Sequence, residues 1–129
     1  MPPKLTAAQQ RSKLCYLTTY NAAGKPGTVE IWFLYHQGKV YIDTAVGTLK
    51  VKKLRADPRA AVAIARRNGP VLEGLVRFAD EATVRRVAPL LNAKYDAAWG
   101  DDEEFIQRHL GDPTDLLLEL TPGDAPPAH

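Results

Sequence analysis

TAVGTLKVKKLRADPRA, residues 44–60, carries the chain from the end of one predicted strand into a helix and on to the next strand. KVYIDT, residues 39–44, reads as the strand, and Gly47 is read as permitting the turn after it. The helix begins near Thr48, whose side chain is placed to cap free N–H groups, and Pro58 stops it. Unpaired amides, the Thr48 hydroxyl and the Lys50 ammonium thus gather at a helix N-terminus. These are the donors a phosphate monoester requires, and the positive end of the macrodipole adds to them. Lys50 and Lys53 share a helix face, while Lys52, Arg55 and Arg59 point elsewhere. A solvated cationic helix that only aids solubility is the competing reading of the same residues.

The flanks read mostly as strands. Thr6 caps a short first helix over residues 6–13, and LCYLTTY, residues 14–20, is rich in aromatic and β-branched residues. NAAGKPG, residues 21–27, is a turn into TVEIWFLYH, residues 28–36. Val29, Ile31, Phe33 and Tyr35 lie on one face of that strand and Glu30, Trp32, Leu34 and His36 on the other, so it is expected to be covered on both sides. Gln37-Gly38 is a tight hairpin. Residues 60–66 form a further strand, and in residues 71–79 Leu72, Gly74, Val76 and Phe78 point inward. After Asp80 the period becomes helical, with Val84, Ala88, Leu91 and Tyr95 on one face and a kink or restart expected at Pro89. Asp101 and Glu104 form a capping box for a short helix ended by Gly111, and residues 116–121 are a last apolar strand. Six strands joined mostly by short hairpins predict a mainly β fold, an antiparallel barrel with peripheral helices.

With 129 residues, 45% hydrophobic and 25% charged, the chain is read as one domain over 1–129, with residues 1–5 and 122–129 loose. No apolar run approaches the roughly 18 residues that span a bilayer, and the polar start is not read as a secretory signal. The single Cys15 excludes an internal disulfide, is read as a small core residue, and agrees with a reducing cytoplasm. Residues 1–79 hold 13 Lys/Arg against 4 Asp/Glu, and residues 80–129 hold 4 against 11. The basic part predicts an anionic ligand, and the acidic part disfavours a long polyanion such as nucleic acid.

Other chemistries are poorly supplied. His36, His109 and His129 have no ligand spacing, so no metal site is expected. Ser12 is the only serine, which removes a Ser-His-Asp triad. The acidic run Asp101 to Glu104 reads as a helix start rather than a Mg²⁺ site.

The order of these parts resembles the flavin-binding split-barrel superfamily named after pyridoxamine 5′-phosphate oxidase, and in particular its small members that use the deazaflavin coenzyme F420. The resemblance runs from about Leu14 to Thr121. It rests on Thr44, Gly47-Thr48, Lys50, Leu54 and Asp57-Pro58-Arg59 at the family's spacing. Ile31-Trp32-Phe33, Leu72-Glu73-Gly74 and Asn92-Ala93-Lys94-Tyr95 add to it.

The resemblance implies a six-stranded split barrel that dimerises, with two cofactor sites in the grooves between subunits. It places the cofactor phosphate on Thr48 and Lys50 and the ring near Thr44, Ala45, Ile31 and Trp32, with Gly47 in the turn. The polyglutamate tail of F420 would suit the cationic helix, with Lys52, Lys53 and Arg55 as its expected contacts. The family oxidase has a basic pair in this turn, where Leu49 leaves Lys50 alone, and its C-terminal Arg-x-His motif is missing from LTPGDAPPAH. Pyridoxamine 5′-phosphate oxidation is therefore not expected. The expectation is hydride transfer between F420, slightly preferred, or FMN and a small organic substrate. A carrier that binds the cofactor without turnover is the alternative, and a nucleic-acid-binding barrel is weaker still.

Overall fold

A computed structural model describes residues 4–123. The elements run α1 (Ala7–Arg11), β1 (Leu14–Tyr20), β2 (Pro26–Trp32), β3 (Leu34–His36), β4 (Lys39–Ala45), α2 (Leu49–Ala56), β5 (Arg59–Ile64), β6 (Val71–Phe78), α3 (Glu81–Lys94), α4 (Asp102–Gln107) and β7 (Asp115–Pro122). All seven strands belong to one antiparallel sheet in the order β2-β1-β5-β6-β7-β4-β3.

That order explains why seven strands are seen where six are expected. The sheet's two edges, β2 and β3, are consecutive in the chain and separated only by Phe33. They are the two halves of the predicted strand 28–36: the first pairs with β1, the second with β4. One strand serves both edges, which curls the sheet into a split barrel.

Tyr95 makes the break at Phe33 affordable. Its hydroxyl accepts the Phe33 N–H at 2.9 Å and lies 2.6 Å from the Phe33 carbonyl and 2.8 Å from the Lys13 carbonyl. The Lys94 ammonium donates to the same Phe33 carbonyl at 2.8 Å. Backbone groups that lose their ladder partners are thus satisfied by side chains at the end of α3. Lys94 and Tyr95 hold the barrel's seam.

Two apolar clusters fill the molecule. Inside the barrel lie Cys15, Leu17, Phe33, Val40, Ile42, Val62, Ile64, Leu72 and Leu120, with Leu54 of α2. Outside it, Val84, Val87, Ala88 and Leu91 of α3, with Tyr95 at its C-cap, pack with Phe105 and Ile106 of α4 on Tyr41 and Leu117. Cys15 is fully buried, and burial pushes its thiol up to about 12, as a core residue requires.

Several expectations need correction. Strand 28–36 is not fully covered within one chain: Val29 is 42% and Trp32 43% exposed, one on each face of β2, because β2 is a sheet edge. Pro89 does not restart α3, which runs as one helix from Glu81 to Lys94 with a buried face that holds it across the missing bond. Gly47 is not among the residues with left-handed backbone, so the turn does not demand glycine for that reason. Leu5, expected in a loose terminus, is 5% exposed and sits in the barrel core. Pro122 still pairs, with Gly74, so the sheet outlasts the predicted last strand. The rest of the expected loose ends, residues 1–3 and 124–129, lies outside the described residues, as does His129.

Candidate cofactor site

β4 delivers Thr44 and Ala45 to the mouth of α2. Thr44 faces the interior at 5% exposure, and its hydroxyl lies 3.4 Å from that of Thr48. Thr48 occupies the N-cap position but does not act as the expected side-chain cap. Its hydroxyl donates instead to the Ala45 carbonyl at 3.1 Å, closing the turn on itself. The first-turn amides of α2 are therefore left without a side-chain acceptor.

The corner is open. Ala45, Val46, Gly47 and Leu49 are exposed, and a Cβ placed on Gly47 would meet nothing within 4 Å. Lys50 is partly covered, and that burial lowers its ammonium pKa. α2 itself is anchored by buried Val51 and Leu54, and its far end by Asp57 and Arg59. The Asp57 carboxylate accepts the Arg59 backbone N–H at 3.1 Å, its Nε at 3.0 Å and its Nη2 at 2.6 Å. The Asp57-Pro58-Arg59 motif is a self-contained clasp that ends the helix and starts β5.

The expected residues divide into groups. Thr44, Ala45, Gly47, Thr48 and Lys50 share this corner. Lys53 leans toward β2, its ammonium 2.8 Å from where a Cβ on Gly27 would stand. Ile31 packs against the barrel core from β2. Trp32, its neighbour on the opposite face, stacks on Tyr95 with ring centroids 4.4 Å apart and meets Trp99 edge-on. A groove of about 590 Å³ lies at the other end of α2, between the Asn21–Gly24 turn and Asp57, away from the Thr48 corner.

Sequence reasoning missed two polar clusters. Glu119 is fully buried, accepts from the Tyr41 hydroxyl at 2.9 Å and pairs with Arg77, and Lys39 stands 3.6 Å away. His109, which shows no ligand spacing in the sequence, lies beside Asp43 and Asp115, with donor-capable atoms of all three within 4.8 Å of one another. Strand register creates both clusters, since Tyr41 and Arg77 are the direct cross-strand neighbours of Glu119 and Ala45 is that of Asp115. The alternation of β7, with a charge between leucines, was the one available signal for the first.

No helix among the described residues is long and apolar enough to cross a membrane. No curated protein matches the chain. Among solved structures, one named F420 reductase superposes with a TM-score of 0.66 at 16% identity, covering 94% of this chain and 95% of its own. HutZ, the heme storage protein from Vibrio cholerae, gives 0.72 at 13% identity over 91% and 86% of the two chains. General Stress Protein 26 from Bacillus anthracis gives 0.62 at 16% over 91% and 90%. At these identities the likeness is one of fold. The family model described as pyridoxamine 5′-phosphate oxidase matches residues 1–125, and the chain belongs to that family.

Proposed function

We propose that the chain is one half of a homodimeric oxidoreductase that binds coenzyme F420, or FMN, and passes hydride between it and a small organic substrate. One observation carries this reading: an open helix mouth whose amides lack a side-chain cap stands beside a single partly covered lysine. The donor set fits a phosphate monoester. Amides of the α2 first turn and the Lys50 ammonium would hold it, and Thr48 would join by turning its hydroxyl from the Ala45 carbonyl. Leu49 occupies the place of a second cation, so backbone donors take a larger share.

When bound, the flavin or deazaflavin supplies the hydride acceptor or donor. The chain would supply position: Thr44 and Ala45 at the end of β4 would border the ring, and Lys53, Lys52 and Arg55 of α2 would offer cations to an anionic tail. Exposed Val46 and Leu49 flank the mouth, and a second subunit over them would exclude water from the site. Support for the cofactor class comes from the family itself and from the fold shared with a protein named F420 reductase.

A carrier without turnover is the second reading, favoured by a corner built of hydroxyls, amides and one ammonium. Titrating the purified protein with FMN and with F420, followed by absorbance under reductants and acceptors, separates the two. Binding with reversible reduction supports the enzyme, and binding without any turnover supports the carrier. Lys50→Ala should weaken binding by about 1.5–3 kcal/mol through loss of a charge-assisted contact. Unchanged affinity would move the site elsewhere.

A further inference from the structure

The imidazole of His109 is held at both ends. Its Nδ1 lies 2.7 Å from the Phe105 carbonyl, and its Nε2 lies 2.7 Å from Asp43 Oδ1. A carbonyl oxygen only accepts, so Nδ1 carries a proton. A second proton must then lie between Nε2 and Oδ1, because two bare lone pairs would repel at that distance. Asp115 completes the cluster from β7, with Arg108 Nη1 4.0 Å from its carboxylate. The His109 side chain is only 2% exposed and that of Asp43 7%, and the Phe105 ring covers the imidazole.

The cluster's position gives it leverage on the α2 turn. Asp43 lies in β4 immediately before Thr44 and Ala45. Thr114, between His109 and Asp115, accepts the Val46 N–H at its carbonyl at 3.0 Å, and the Arg108 carbonyl accepts the amides of Thr114 and Asp115. The 108–115 segment therefore clasps β4 through His109 and the turn through Thr114.

We propose that Asp43, His109 and Asp115 form a one-proton latch that fixes the 45–48 turn to the 108–115 segment and releases it when that proton leaves to solvent. No heavy-atom bond forms or breaks; the Nε2–H···Oδ1 hydrogen bond is exchanged for a repulsive pair of lone pairs beside a second carboxylate. Burial, with Asp115 adding to it, pushes the Asp43 carboxyl up to about 6. Burial alone would depress His109, but its bonds to Asp43 and the Phe105 carbonyl outweigh that and raise it. Both shifts favour the protonated cluster in the folded chain, so its stabilisation is full at low pH and lost as pH rises through these groups. The latch stands on the chain's own contacts; only its consequence, a pH-dependent cofactor affinity, rests on the function proposed above.

Amide hydrogen exchange at Val46, corrected for intrinsic rates, tests it in the full chain. The expected result is protection at about pH 6 that falls by about tenfold or more near pH 9. Asp43→Asn replaces the shared proton with an amide that donates to Nε2 at any pH, so the variant's protection should be independent of pH. Equal pH dependence in both proteins, or none in the wild type, overturns the latch. Should the variant fail to fold, the His109 imidazole resonances of the wild type decide: titration above the ordinary histidine value supports the latch, and titration at or below it does not. Stoichiometric Zn²⁺ binding that displaces the proton would overturn it in favour of a cation site. FMN affinity measured at the two pH values reads the cofactor consequence separately.

Discussion

The Tyr95 hydroxyl accepts the Phe33 N–H at 2.9 Å and meets the Phe33 carbonyl at 2.6 Å, so one side chain serves both backbone groups at the seam of the barrel. Phe33 is fully buried, and without this partner its N–H would be an orphan donor in the core. The ring also stacks beneath Trp32, which ties the outer helix to the strand expected beside the cofactor.

Tyr95→Phe keeps the stack and deletes the hydroxyl. It should cost about 1–3 kcal/mol, the penalty of leaving a buried donor unpaired. Urea unfolding measures it. A loss within error of zero would mean that Lys94, which reaches only the carbonyl, suffices to hold the seam.

Glu119 makes a different demand. It is buried against Tyr41 and Arg77, and although burial alone would raise its carboxyl, Arg77 and the Tyr41 hydroxyl hold it below the ordinary glutamate value. A depressed carboxyl contributes stability that is present above the unfolded value and lost as pH falls through the folded one. Glu119→Gln should lower stability at neutral pH by about 2–4 kcal/mol and flatten the acid limb of the stability–pH curve. Thermal unfolding between about pH 3 and pH 7 shows both effects, and an acid limb as steep as the wild type's would assign it to other carboxylates such as Asp57 and Asp80.

Local signals carried far in this chain and long-range pairing did not. β1 spans the predicted residues 14–20, the Gln37-Gly38 hairpin has positive φ angles at both residues, Thr6 caps the first helix, and the predicted Asp101–Glu104 capping box is formed. Each is decided within a few residues. The corner at Thr48 was legible for the same reason, since strand end, turn and helix start are adjacent. The break at Phe33 was not, because the tyrosine that permits it lies 62 residues away. Nor was the His109 cluster, whose members come together only through the register of β4 with β7 and the path of the segment after α4. Apolar residues on both faces of strand 28–36 were legible as a pattern, but the exposure of Val29 and Trp32 at the sheet edge was not.

The outer face of β5 and β6 offers a test of the proposed second subunit. Val71 is 42% and Leu75 44% exposed, with Ala63 opposite Val71 and Arg59 opposite Leu75 on β5. Because Leu75 is exposed on this face, Leu75→Lys should leave folding stability within about 0.5 kcal/mol. If this face is the subunit interface, sedimentation at tens of micromolar should shift from dimer to monomer and cofactor binding should fall although Lys50 is intact. A wild-type protein that sediments as a monomer would remove the shared groove altogether.

Gly74 and Gly47 make opposite predictions about two glycines of the family pattern. At Gly74 a Cβ would stand 2.0 Å from the Thr121 carbonyl oxygen and 2.9 Å from the Pro122 Cα, both backbone atoms of the neighbouring strand. Strand β7 would have to part from β6 there, and the cost should be about 1–3 kcal/mol or more. At Gly47 a Cβ would meet nothing within 4 Å, and the backbone is not left-handed, so Gly47→Ala should be neutral to within about 0.5 kcal/mol. Urea unfolding of the two variants side by side checks the pair. If Gly47→Ala nevertheless weakens FMN or F420 binding, its methyl occupies space the bound cofactor needs. If both stability and affinity are unchanged, the close approach to the phosphate runs through Thr48 and the α2 amides without Gly47.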